Sequence, residues 1–387
     1  MSSVRLPGSV YRRSSGRWAA MTSPVFDPQV GSRRRISLGT FESRMSALEA
    51  LAAFQGKRRS VEVGRQRVSE YLTQWLDLVS SQLDVGHLAR RTASGYEQAV
   101  RLHINPGLGH LRLSELHHLV VHEWLTSLRT AKGLSDRSVL RVYRVAHRAM
   151  ADAPLGRNPM SLPKHMRPVV RSKKEIVRPT TEEIRAFLAH TQGCERSQYL
   201  HPLFRLASVS GMRCGELVGL AMCDVDLDAK TVEVVRSLGL DGGEVFIKSP
   251  KSEAGIRLVG IDEKTACLLR THQARLAEDR SKADHYVNSP LGLDLMFRRS
   301  PNGDLVRPDL VSRSFTSEWL HAGLRVGVTL HSLRHSMASM LVADGFPLTE
   351  VAARLGHSVE VLMRTYARDL DPQDREERMV ETISGRF

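Results

Sequence analysis

Apolar residues recur at Val68, Tyr71, Leu72, Trp75, Leu76 and Val79, the i, i+3, i+4 spacing of an amphipathic helix with one buried stripe. The pattern ahead of it is shorter. "GSVYRRSSGRWAAM" holds two short runs broken at Ser14, Ser15 and Gly16, which predicts a β-hairpin. "SRRRISLGTF" offers a third strand, and "SRMSALEALAAFQGK" places Leu48, Leu51 and Ala52 on one helical stripe. "GKRRSVEVGRQR" is polar, basic and weakly periodic, and reads as a linker. Beyond Val79, helical patterns start near Thr92, Val120 and Ser135, separated by "NPGLGHLRL" and "AKGLS" and ending near "APLGRNPM". The Pro- and Lys/Arg-rich "PKHMRPVVRSKKEIVRP" marks a boundary at 160–178.

A helix start follows in "PTTEEI", with Thr180 or Thr181 as cap and acids in the first turn. A helix is expected around 198–210. "TVEVV", "EVFIK" and "IRLVGI" then predict a small antiparallel sheet, and from Glu263 the pattern is mostly helical. The acid-rich tail "DLDPQDREERMVETISGRF" is expected to end in a helix with Met379, Val380 and Ile383 on one side. At 387 residues, the chain exceeds one ordinary core. The expected fold is multidomain: a small β-sheet-plus-helix domain over 1–60, an all-α domain over 61–165, and a mixed α+β, mainly helical domain over 175–387.

Charge narrows the partners. Fifty-six Lys and Arg against 42 Asp and Glu give a net charge of +14. Such a balance favours a polyanion, because neutralising phosphates releases condensed counterions. Residues 1–60 alone carry eleven Lys/Arg and three Asp/Glu, which points to nucleic acid. In the predicted sheet, Arg12, Arg13, Arg17, Arg33, Arg34 and Arg35 would project from the exposed side, with Trp18 and Phe41 as core. The basic helix "SDRSVLRVYRVAHRAM" could lie along a phosphate backbone or be a solvated face. No apolar run spans a bilayer, no secretory h-region leads the chain, and the four cysteines form no C-x-x-C pair. A cytoplasmic protein with no membrane partner is expected.

Candidate chemistry is concentrated after residue 210. Asp224, Asp226 and Asp228 alternate as in a calcium loop, but the sixth and twelfth positions hold Ala229 and Val235 where Gly and Glu are needed, so a strand entering a turn is expected. In "LHSLRHSMASML", His331 and His335 have the i, i+4 spacing of a zinc pair, yet Ser332 stands where the metalloprotease motif needs Glu. The rival pairing is His331 with Arg334 at i, i+3, at a helix start capped by Thr329, where free N–H groups and the dipole favour an anion. "SGMRCGELVGL" adds Arg213 with Glu216, "IKSPKSEAGIRL" adds Lys251, and "LGHSVEVLMRTYAR" adds His357 and Tyr366.

In this order the motifs resemble those of the tyrosine recombinase family, phage integrases in particular. By motif the resemblance covers about 175–370, and the two preceding segments look like that family's arm-type DNA-binding domain and helical, SAM-like core-binding domain. It implies a site-specific recombinase that cuts and rejoins DNA through a 3′-phosphotyrosyl link and a Holliday junction, integrating or excising a mobile element such as a phage genome. Tyr366 would be the nucleophile, Arg213 and Arg334 the clamps on the non-bridging oxygens, and His331 and His357 further hydrogen-bond donors. Lys251 would protonate the departing 5′-hydroxyl, with Lys248 as its alternative, and Glu216 would support Arg213. The resemblance implies no cofactor and no metal. Its partners would be double-stranded DNA at core and arm sites and a homotetramer on that DNA in the bacterial host's nucleoid, with room for an excisionase and a DNA-bending host factor. In the family the C-terminal segment docks on a neighbouring protomer. Intramolecular packing of the tail is the alternative here.

The competing readings are a monomeric type IB topoisomerase-like relaxing enzyme, a non-catalytic DNA-binding regulator and a zinc hydrolase. The first leaves the arm-like segment without a role, and the second leaves the ordered Arg-Lys-His-Arg-His-Tyr set without one.

Overall fold

Gly16 adopts φ +80° and closes the first hairpin, so β1 (Gly8–Arg12) and β2 (Trp18–Thr22) pair antiparallel with Arg12 opposite Trp18. The computed structural model describes residues 8–27, 32–86, 88–171, 176–248, 255–282, 289, 291–299, 302–366, 380 and 384, with backbone alone at 25–27, 32–33, 58–59 and 364–366. β3 (Val25–Asp27) and β4 (Ser32–Arg34) form a separate hairpin, and β5 (Ser37–Phe41) completes a three-stranded sheet in the order β1-β2-β5. The arginines expected on one sheet face are therefore divided. Arg12, Arg13 and Arg17 are exposed at the β1–β2 turn, whereas Arg33 and Arg34 sit on β4 and Arg35 just after it. Trp18 and Phe41 face each other across β2 and β5 but are only half-buried. The small Ala19 and Ala20 fill the buried centre of β2, leaving the large rings at the margin.

Ser43 caps α1 (Arg44–Arg65) by accepting the Ser46 amide at 3.0 Å. Ala47 and Leu51 are its buried contacts with the sheet, while Ala52 is exposed. The expected linker at 56–67 is instead, as far as Arg65, the second half of this helix. Its Lys, Arg and Glu residues are good helix formers, and Val63 packs on the helical core that follows, so a weak apolar period does not stop it. A boundary at residue 60 thus falls inside α1, and residues 1–173 form one compact unit.

That helical core is built from α2 (Val68–Asp84), α3 (Arg90–Ala99), α4 (Asn105–Leu108), α5 (His118–Thr130) and α6 (Asp136–Ala151). A π-helical turn over Val100–Ile104 joins α3 to α4, so "NPGL" continues the helix rather than breaking it. Pro106 has no amide for the ladder, and the widened turn ahead of it accommodates the loss. Trp75 is buried and donates to Asp152 Oδ2 at 3.0 Å; Tyr71 donates to Ala149 O at 2.7 Å. On α6, Val139, Val142, Ala146 and Ala149 are buried, and Arg137, Arg141, Arg144 and Arg148 form an exposed stripe.

The second compact unit spans 174–387. Thr180 caps α7 (Thr181–Gly193) in a capping box with Glu183. α8 (His201–Ser210) and α9 (Cys214–Val218) follow. Then come β6 (Val225–Asp226), β7 (Thr231–Val234), β8 (Ser237–Asp241), β9 (Glu244–Lys248) and β10 (Arg257–Gly260). Two small sheets replace the single one expected: β10-β7-β6 and the β8–β9 hairpin. The missed strand is "SLGLD", whose central Gly239 hides it from a β-propensity reading. α10 (Glu263–Lys282) leads to a short hairpin of β11 (Arg298–Arg299) and β12 (Asp304–Leu305), outside the helical expectation. The chain continues with α11 (Pro308–His321), α12 (Leu330–Ala343), α13 (Leu348–Leu355) and α14 (Val359–Tyr366). Phe187, Phe204, Phe315 and Trp319 pack ring against ring in the larger core, mostly tilted or edge to face, and Met337, Val351, Leu355 and Leu362 form a second core under α12–α14. Among the described residues no helix is long and apolar enough to cross a membrane. Met379 and Ile383 of the expected tail helix lie outside the described residues.

Candidate active site

Two helix C-termini build the site. α8 ends on Gly211 and α13 on Gly356, each left-handed at φ +64° and +62°. A side chain at Gly211 would meet Leu355 Cδ2 at 2.7 Å, so the two turns touch. The last carbonyls at both ends point to one place, and arginines answer them. Arg334, on α12 and only 1% exposed, donates through Nη1 to Gly211 O at 2.7 Å and through Nη2 to Leu355 O at 2.5 Å. Arg213 donates through Nη2 to Gly356 O at 2.9 Å. Both guanidinium groups are thereby oriented before any ligand arrives.

Glu216 fixes Arg213 from the other side. Its Oε2 accepts the Arg213 amide at 2.9 Å and its Oε1 accepts Nη1 at 2.7 Å. Burial alone would raise the Glu216 pKa, but hydrogen bonding and charge from Arg257, then from Arg213, hold it below the usual carboxylate value. Glu216 is therefore an anion at neutral pH.

His331 occupies the first turn of α12, whose start is secured by the Thr329 amide donating to Ser332 Oγ at 3.0 Å. His357 follows Gly356, and its amide donates to Ala352 O at 3.0 Å. Its ring Nδ1 is buried and, among the described residues, has no hydrogen-bond partner. Partial burial, then Arg334, Arg213, His331 and His335, push the His357 pKa down to about 3. The His331 pKa is lowered likewise, by desolvation first and then by Arg334 and Arg213, although the residue as a whole is solvent-accessible. The two arginines and two histidines thus act on one another electrostatically, and the imidazoles are neutral in the free protein. Such a cluster is cationic, pre-aligned and suited to an anion.

Other expected site residues fall as follows. His335 packs edge to face on His331, ring centroids 4.7 Å apart, and no third metal ligand joins the pair among the described residues. Lys251 lies outside the described residues. Lys248 ends β9 with its Nζ 5.2 Å from the Phe246 ring centroid, folded onto its own strand. Tyr366 is the last residue of α14, and its side chain is outside the described set. The three alternating aspartates serve separate partners: Asp224 pairs with Arg236, Asp226 accepts the Asp228 and Ala229 amides, and Asp228 pairs with Arg270. His190, Cys194 and Glu318 converge between α7 and α11, but Arg196 donates twice to Glu318 Oε1 at 2.9 and 3.1 Å, making this an ion-pair hub.

Sequence reasoning missed Arg257. In the expected strand "IRLVGI" the apolar Ile256 and Leu258 are 52% and 65% exposed, whereas Arg257 is 8% exposed. An arginine sharing a strand face with Val259 and Ile261 was the available signal.

The profile of the phage integrase family matches residues 178–372, half of the chain. The ICEBs1 integrase of Bacillus subtilis (strain 168) is 26% identical over 374 residues, covering 92% of this chain and 95% of that protein. A putative prophage phiRv2 integrase of Mycobacterium tuberculosis is 25% identical over 389 residues, covering 95% and 93%. In fold, the chain is similar to the Tn1549 transposon integrase in complex with transposon right-end DNA. That match has a TM-score of 0.67 at 19% identity, over 82% of this chain and 100% of that one. A lambda integrase tetramer bound to a Holliday junction gives 0.56 at 17% identity, over 93% and 96%. Together these relationships make the chain a tyrosine-type site-specific DNA recombinase, an enzyme that integrates or excises mobile elements. It belongs to the phage integrase family.

Proposed function

We propose that Tyr366 is the nucleophile of this recombinase and that Arg213, Arg334, His331 and His357 form the phosphate-binding cluster it works on. The observation that carries this reading is the convergence of those four side chains at the Gly211 and Gly356 turns, with α14, the next helix, ending on Tyr366. The Tyr366 phenol loses its proton to solvent and its oxygen forms a bond to phosphorus, the P–O5′ bond breaks, and the 5′-oxygen takes a proton from Lys251. A free phenol titrates near 10 and is a poor nucleophile at neutral pH; neighbouring cations favour its phenolate. Negative charge spreading over the non-bridging oxygens meets Arg213 and Arg334 already in position. The phosphotyrosyl ester keeps the energy of the cleaved diester, so rejoining requires no nucleotide.

Lambda integrase is known as a tetramer on a Holliday junction, and we carry the same assembly over to this chain. In this reading the exposed arginine stripe of α6 follows the phosphate backbone of a core site, and residues 1–60 hold a separate arm site, with Arg12, Arg13 and Arg17 as the contacts. The test is Tyr366→Phe on a nicked suicide duplex carrying the attachment site. The variant is expected to bind DNA like the wild type and to form no covalent adduct; an adduct from it would sink the assignment.

A further inference from the structure

Glu216 presents an electrostatic problem for the site it supports. A carboxylate 2.7 Å from Arg213 orients that guanidinium, but a closed one-to-one ion pair would also neutralise it and weaken its hold on a phosphate. Arg257 alters this balance. Its Nη2 donates to the second Glu216 oxygen at 2.8 Å, and its side chain is 5% exposed. Two guanidinium groups then share one buried carboxylate, and the trio keeps a net positive charge. Arg257 is itself held from two further sides. Its Nε donates to Arg354 O at 2.8 Å, three residues before His357, and its Nη1 donates to Gly255 O at 3.3 Å, at the foot of the β9–β10 connection that carries Lys251.

Resting on the reading of Arg213 as a phosphate clamp, we propose that Arg257 is a positioning residue that keeps Arg213 aimed and positively charged toward the scissile phosphate. Arg257 touches no reacting atom. It acts by occupying half of Glu216, and its buried carbonyl contacts fix where that half lies. A lysine there preserves the charge but lacks the planar fork that reaches three acceptors at once.

The proposal is tested by single-turnover adduct formation on two suicide duplexes. One carries the natural scissile phosphodiester, and the other a methylphosphonate, in which a methyl group replaces one non-bridging oxygen and removes the charge Arg213 must balance. Arg257→Met is expected to cleave the phosphodiester about 100-fold more slowly than the wild type, the scale of a misaimed catalytic group. On the methylphosphonate it should stay within about fivefold of the wild type, because the missing function is no longer needed there. Arg257→Lys should fall between, about tenfold slow on the phosphodiester only. It carries the same comparison if the methionine variant melts below the assay temperature. Equal slowing on both substrates, or none on either, would overturn the proposal. Rescue by a 5′-bridging sulfur instead would also overturn it, since that leaving group needs no proton and the defect would belong to Lys251. If the wild type itself forms no adduct on the phosphodiester, the Tyr366 reading fails rather than this one.

Discussion

At the scale of single residues, the site joins two guanidinium groups, oriented by carbonyls and by Glu216, to two imidazoles that are neutral in the free protein. His357 shows the cost. Its pKa of about 3 lies below the 6.5 of an unfolded histidine, so between those values the unfolded chain binds the extra proton. Stability is therefore complete above about pH 6.5 and falls as pH drops through this window. The contribution is at most about 1 kcal/mol per pH unit, since the ring is only partly shielded from solvent. His357→Asn should lose less stability than the wild type between pH 7 and pH 5, measured as urea midpoints; equal losses would place the acid sensitivity elsewhere. A bound phosphate reverses the sign at the site by favouring the imidazolium, so DNA binding at pH 5.5 is expected to take up protons, readable by calorimetry in buffers of different ionisation enthalpy. The residues proposed to carry the chemistry were singled out by their order along the chain, which carries the family resemblance. Arg257 was not, because a buried arginine is recognisable only once its carboxylate and its carbonyls are known.

At the scale of elements, two left-handed glycines do the placing, and neither stands out in a hydrophobic pattern. Gly211 O receives Arg334, and the same residue has Leu355 Cδ2 at 2.7 Å and Met337 Cε at 3.0 Å from where a methyl would lie. Gly211→Ala combines left-handed strain of roughly 1 kcal/mol with overpacking of about 1–3 kcal/mol. A destabilisation of about 2–4 kcal/mol is expected, with slower adduct formation even below the melting range. Gly133→Ala is the control: φ is +63° there too, but nothing lies within 4 Å, so only the strain of about 1 kcal/mol should appear. Similar costs for both variants would show that the contact between the α8 and α13 turns is loose. Helices with a strong apolar stripe, such as α2, were readable from sequence. The second half of α1 was not, because its helix is held by propensity and by local contacts such as Val63 on the helical core and the Gly156 amide on Ser60 Oγ, rather than by a stripe. Nor was the face of β10, where Ile256 and Leu258 point outward and the inward place goes to a charge.

At the scale of the whole molecule, a net charge of +14 favours a polyanionic partner but does not say which part of the chain meets which site. A basic start, a helical middle and a mixed end differ in period. The boundary expected at residue 60 falls inside α1, whereas the one expected at 160–178 contains the division between the two compact units after residue 173. Two basic surfaces remain to be told apart: Arg12, Arg13 and Arg17 at the β1–β2 turn, and the α6 stripe of Arg137, Arg141 and Arg144. Each should contribute to the salt dependence of duplex binding, because every phosphate neutralised adds nearly one to the slope of log K against log salt. Replacing the first three by alanine should lower that slope by about 2–3, measured by anisotropy on a duplex carrying the attachment site. Adduct yield on a suicide core substrate should stay unchanged. Replacing Arg137, Arg141 and Arg144 should lower the slope by a similar amount, roughly 2–3, and reduce adduct yield with it. If the β1–β2 substitutions also abolish cleavage of an isolated core site, that turn contacts core DNA, and the division of labour between arm and core has to be drawn elsewhere in the chain.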